Sequence, residues 1–189
     1  MPRFFLLTGC SGAGKSTTLD ALAARGADVI AEPGRRIVQE QQARGGDALP
    51  WRDMKLFAEA ALALAGRDMD HASKRLSDDT PVFCDRGLVD AALALERMGA
   101  GDAYEILAEH PRYDATVFLF EPWPALFQTD AERQHSFDAA VEEYEAIASA
   151  LQRLGYTAVL VPQQPPEHRA EFIFDSLITL GRVDPNSIL

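Results

Sequence analysis

Five short apolar runs punctuate the chain: Phe4-Phe5-Leu6-Leu7, Ala27-Asp28-Val29-Ile30-Ala31, Pro81-Val82-Phe83-Cys84, Ala115-Thr116-Val117-Phe118-Leu119-Phe120 and Thr157-Ala158-Val159-Leu160-Val161. They are largely continuous rather than alternating with polar residues. That pattern predicts strands buried on both faces of a sheet. The intervening segments follow helical spacing. A helix is predicted over 16–25, closed by Gly26, and a second follows Glu32-Pro33-Gly34-Arg35-Arg36, with Ile37 and Val38 buried, and stops near Gly45-Gly46. A long third spans about 51–76, with Met54, Phe57, Ala58, Ala61, Leu62, Ala65 and Met69 on one face as core packing. Two shorter helices follow, near 88–98 and 102–110. Helices over about 137–154 and 166–180 complete the pattern. Strands alternating with helices predict an α/β fold: a five-stranded parallel sheet covered by helices on both faces. Ligands of such sheets bind beyond the carboxyl ends of the strands.

Those carboxyl ends carry the polar residues of interest. The first strand opens into Gly9-Cys10-Ser11-Gly12-Ala13-Gly14-Lys15-Ser16-Thr17 and then a helix. A glycine, four residues, then Gly-Lys-Ser between a strand and a helix is the phosphate-loop pattern. Its glycines let successive backbone N–H groups converge on phosphate, and the helix adds its positive end. Lys15 is expected to reach the β- and γ-phosphates, and the Ser16 hydroxyl to serve Mg²⁺. Leu7-Thr8-Gly9-Cys10 also has the look of a lipoprotein cleavage site, but only four apolar residues separate Arg3 from Thr8. A signal peptide needs an apolar core of roughly seven to fifteen.

Composition narrows the classes. The chain has 189 residues and is 47% hydrophobic, enough for a sizeable core. It is read as a single domain over 1–189, with no run long enough to span a membrane. A net charge of −11 argues against a general nucleic-acid surface. Any phosphate site is therefore a local basic patch in an acidic field. Two cysteines, Cys10 and Cys84, make no disulfide framework and fit a cytoplasmic protein with reduced thiols. His71, His110, His135 and His168 show no metal-ligand spacing.

Asp85 ends the third strand, where an acid that holds Mg²⁺ through its water shell belongs; the plain alternative is a helix cap. Arg86 suits a phosphate or substrate clamp, or a partner for a nearby acid. Glu32 ends the second strand, positioned to accept a hydroxyl proton as general base, to bind a substrate hydroxyl or to hold a metal water. Arg35 and Arg36 lie at a helix start, where cations oppose the dipole, so an anion is expected near them; Glu32 itself would serve. Glu121 ends the fourth strand. Residues 122–136 are read as a lid whose arginine, Arg133, reaches the transferring phosphoryl group or pairs with Asp130 or Glu132. Trp123 suits base stacking or loop anchoring.

In this order, the phosphate loop, Glu32-Pro33-Gly34-Arg35-Arg36, Trp51-Arg52-Asp53, Asp85-Arg86-Gly87-Leu88 and Pro122-Trp123-Pro124 to Arg133 resemble the AAA-like P-loop domains related to the kinase half of bacterial NadR proteins. That half is a nicotinamide riboside kinase. The resemblance covers nearly the whole chain and implies a kinase-like sheet with the third strand beside the first, so that Asp85 neighbours Ser16. The Glu32-Pro33 and Asp85-Arg86 pairs also resemble those of deoxynucleoside kinases. There the glutamate is the proposed base and the arginine meets phosphate. The nucleotidyltransferase and DNA-binding activities of full-length NadR proteins are not implied. The leading expectation is a small-molecule kinase using ATP, or another nucleoside triphosphate, with Mg²⁺. Its acceptor is a small, nucleoside-like molecule with a hydroxyl. A nucleotide-dependent switch with slow hydrolysis and a protein partner is the alternative. The absence of an Asn-Lys-x-Asp motif disfavours a Ras-type GTPase.

Overall fold

A computed structural model describes residues 1–126 and 136–184. The elements are β1 (Arg3–Gly9), α1 (Lys15–Ala24), β2 (Asp28–Ile30), α2 (Pro33–Arg44), α3 (Met54–Arg75), β3 (Pro81–Asp85), α4 (Leu88–Arg97), α5 (Ala103–Ala108), β4 (Thr116–Phe120), α6 (Phe137–Arg153), β5 (Thr157–Leu160) and α7 (Pro166–Thr179). All strand pairs are parallel, in the order β2-β3-β1-β4-β5. The third strand thus lies beside the first, and Leu7 is in register with Asp85.

Alternation along the central strands divides the core into two layers. Phe4 and Leu6 of β1, Val82 and Cys84 of β3, and Val117 and Leu119 of β4 pack under α3, α4 and the later turns of α6. Phe5, Leu7, Phe83, Phe118 and Phe120 face α1 and α7 instead. The Phe83 ring meets Phe174 of α7 edge-on at 5.6 Å. Each such fully buried side chain contributes about 1.5–3 kcal/mol of transfer free energy. The outer strands depart from the expectation of burial. Leu160 of β5 is 51% exposed and Val29 of β2 36%. Each is an edge strand with a neighbour on one side only, so part of its apolar surface meets water.

Local signals place the ends of the helices. Asp53 caps α3 by accepting from the Leu56 amide at 2.9 Å, so the helix starts after Trp51 rather than at it. Ser136 caps α6 through the Ala139 amide. The stripe expected as core on α3 splits: Ala58, Ala61, Ala65 and Met69 are buried, while Met54 is 44% exposed at a cavity mouth. No helix among the described residues is long and apolar enough to cross a membrane.

Candidate functional site

The phosphate loop is shaped by two close approaches. Gly9 ends β1 at φ 127°, and a Cβ there would drive into the Phe120 carbonyl of β4. Gly14 precedes α1 in the left-handed region, φ 85°, and a Cβ would strike the Arg169 guanidinium. Only glycine meets both demands. The Gly14 carbonyl also accepts from the Thr17 and Thr18 hydroxyls, each at 2.9 Å, which ties the loop to the first turn of α1.

Lys15 is 6% exposed. Its ammonium donates to the carbonyls of Cys10 at 2.6 Å and Gly9 at 3.3 Å, which hold it at the loop. Burial pushes its pKa down, and the Arg86 charge adds to that. Anionic phosphate would reverse both penalties. Cys10 is buried, and burial raises its thiol pKa ahead of the lowering by Lys15, so it serves as a small packed residue.

The Ser16 hydroxyl donates to Asp85 Oδ2 at 2.7 Å. Asp85 is 1% exposed, and its Oδ1 has no hydrogen-bond partner. Burial raises its pKa, with Lys15 opposing. A buried carboxylate oxygen without a partner, beside a serine hydroxyl and a phosphate loop, fits a divalent cation held with phosphate and water. Among the described residues no cluster of three or more His, Cys, Asp or Glu could hold a metal alone.

Arg86 adopts φ 55°, left-handed and unfavourable for a side chain with a Cβ. Its amide donates to the Leu7 carbonyl at 2.9 Å. Three carboxylates surround its guanidinium: Glu143 at 2.9 Å, Asp90 at 3.1 Å and Glu32 at 3.8 Å. Burial alone would lower its pKa; Glu143, Asp90 and Glu32 outweigh burial and raise it. Asp90 lies in the first turn of α4 and also accepts from the Thr8 hydroxyl at 2.8 Å. Glu143 of α6 accepts from the Ser11 amide through its second oxygen at 3.0 Å.

Two cavities meet here. The smaller, about 180 Å³, is lined by Ser11, Gly12 and residues 14–17 of the loop with Glu32, Arg35, Arg86 and Leu126. The larger, about 530 Å³, is walled mainly by apolar side chains that include Met54, Phe57, Ala91, Met98 and Ala140. Ser11, Glu32 and Arg86 line both.

Lys15, Ser16, Glu32, Arg35, Asp85 and Arg86 therefore come together. Arg36 does not: it pairs with Asp68 of α3 and lines a separate cavity beside β2. One helical step past Arg35 turns it away from the two cavities, and the anion expected near it is Asp68. Glu121 accepts from the Tyr144 hydroxyl at 3.3 Å and lines neither cavity of the site. Trp123 stacks on the Arg169 guanidinium, 4.7 Å from its ring centre, so it anchors a loop. Arg133 lies outside the described residues, as do residues 127–135 of the expected lid.

Three contributors escaped sequence reading: Asp90, Glu143 and Arg169. Arg169 of α7 is 2% exposed and donates to the carbonyls of Ala13 at 3.0 Å and Gly14 at 3.4 Å, bracing the loop from behind. Its place on the apolar face of α7, beside Ala170 and Ile173, was the one available signal.

The sequence profile of the AAA domain family matches residues 4–169. No curated protein matches. Among solved structures the chain is similar to a NadR protein in complex with NR, with TM-score 0.64 and 15% identity. The alignment covers 94% of this chain and 50% of that one, so this chain spans half the length of its structural neighbour. The likeness is one of fold, which in this chain is a five-stranded parallel sheet with helices.

Proposed function

The chain belongs to the AAA domain family, and from that premise we propose that it is a small-molecule kinase. It binds a nucleoside triphosphate at residues 9–17 and passes the γ-phosphoryl group to an acceptor hydroxyl. The observation that carries this reading is the shared wall. Ser11, Glu32 and Arg86 stand between the phosphate-loop cavity and a chamber large enough for a nucleoside-like molecule. A nucleotide-dependent switch needs no such chamber beside its phosphates.

In this mechanism the acceptor enters the larger cavity and turns its hydroxyl to the junction. Glu32 takes the hydroxyl proton as the oxygen–phosphorus bond forms. The bond from phosphorus to the leaving nucleoside diphosphate breaks, and its electron pair goes to that leaving group. Lys15 and Arg86 balance charge on the phosphoryl oxygens, so positioning and electrostatics carry most of the rate. Mg²⁺, held by Ser16 and Asp85, supplies further charge neutralisation on the phosphates when bound. Arg35 lines the phosphate-loop cavity and adds positive potential there.

The test is ADP release from ATP·Mg²⁺ across a panel of nucleosides and other small alcohols, beginning with nicotinamide riboside. The expected result is strong stimulation by one compound. A uniformly flat panel over slow hydrolysis would refute the kinase reading in favour of a switch with a protein partner.

A further inference from the structure

Glu143 of α6 makes two hydrogen bonds at the junction of the two cavities. One oxygen takes the Ser11 amide at 3.0 Å, and the other takes an Arg86 N–H at 2.9 Å. Residues 11 and 86 both line the smaller and the larger cavity. On the kinase reading, on which this inference rests, the γ-phosphoryl group must stand at that junction. A carboxylate and a terminal phosphoryl group ask for the same surroundings: anionic oxygens facing N–H donors. Burial would push the Glu143 pKa up, but Arg86 and the Ser11 amide outweigh it and keep the group ionised. Two anions cannot share one amide and one guanidinium at low cost.

We propose that Glu143 is a specificity-determining residue that holds the γ-phosphate position in the empty site. It yields that position only to a ligand whose own anionic oxygens reach Ser11 and Arg86. A triphosphate displaces it; a diphosphate stops short of the junction and leaves it in place. Displacement also hands Arg86 to the phosphoryl group. Arg86 stays at the junction, because Asp90 and Glu32 hold it from the other sides. The freed carboxylate remains on the wall of the larger cavity, which it already lines. The site thereby distinguishes loaded from spent nucleotide by charge at one position.

The experiment is nucleotide binding by calorimetry to the wild type and to Glu143→Gln. Glutamine keeps the shape and an acceptor for the Ser11 amide but removes the competing charge. The expected result is that ATP·Mg²⁺ binds about tenfold tighter in the variant while ADP·Mg²⁺ affinity is unchanged. A purely structural Glu143 would weaken both nucleotides together, since the loop would lose a tether. An unchanged or lowered ratio of ATP to ADP affinity overturns the inference while leaving the kinase reading intact. A wild type that binds neither nucleotide refutes the phosphate-loop reading and this inference with it. Glu143→Ala supplies the same ratio should the glutamine variant fail to fold.

Discussion

The two cavities that meet at Ser11, Glu32 and Arg86 are built on opposite principles. The phosphate side is made of backbone. Its glycines are pinned by close approaches, its lysine is held by two carbonyls, and Arg169 braces it from behind. The larger cavity, the acceptor side on the proposed reading, is made of side chains: a mainly apolar wall that also carries acids gathered around one arginine. Backbone cradles bind a feature common to every nucleotide, the phosphate chain. Side-chain walls select one molecule among many. If this division holds, damage to one side should leave the other side's ligand untouched.

The largest effect is expected at the junction itself, where the division breaks down. Glu32→Gln removes the proton acceptor and keeps the shape, so kcat should fall on the order of 10³-fold. Nucleotide affinity should change by less than about tenfold, because Glu32 borders the phosphate cavity without belonging to the loop that binds the phosphates. Steady-state rates with calorimetric ATP binding check both numbers. Unaltered turnover would remove Glu32 from the role of base.

Lys15→Ala strikes the phosphate side alone. A buried ammonium facing phosphate is worth several kcal/mol, so ATP affinity should drop about 10²-fold. Acceptor affinity without nucleotide should not change, since Lys15 does not line the larger cavity. Equilibrium binding of each ligand separately is the measurement. Full retention of ATP affinity would contradict the phosphate-loop assignment.

The same contrast explains what could be read from the sequence. The phosphate loop is contiguous, and its chemistry demands glycine, lysine and serine at fixed spacing, so Gly9 to Thr17 stood out without a structure. The strands and helices were legible because apolar period tracks burial, and Asp85 was found because it ends a strand. The acceptor side was largely hidden. Glu143 reaches Ser11 across 132 residues of chain, and nothing local marks it among the acids of α6. Asp90 looked like an ordinary acid in a first helical turn. Met54 and Phe57 fell on a helical stripe with buried alanines, and periodicity cannot tell a packed core from a cavity wall. Arg36 could not be separated from Arg35, because their difference is one helical step of about 100°.

The smallest predicted effect tests whether the α3 stripe is packed core or cavity wall. Phe57 touches the larger cavity and lies against Gly34, where an added Cβ would sit 3.1 Å from its ring. The ring therefore supports the backbone just after Glu32 while offering a face to the acceptor. Phe57→Leu keeps most of the volume and removes the flat face. Acceptor KM should rise about tenfold through lost contact, with kcat nearly unchanged. Phe57→Ala should raise KM further and also lower kcat, because Gly34 loses its support and Glu32 shifts. In both variants ATP affinity should equal that of the wild type, since Phe57 does not line the phosphate cavity. A rise in acceptor KM with constant ATP affinity would identify this part of α3 as substrate wall. Equal loss of both ligands would mean that the ring only packs α3 against α2, and that the two cavities are less independent than their construction implies.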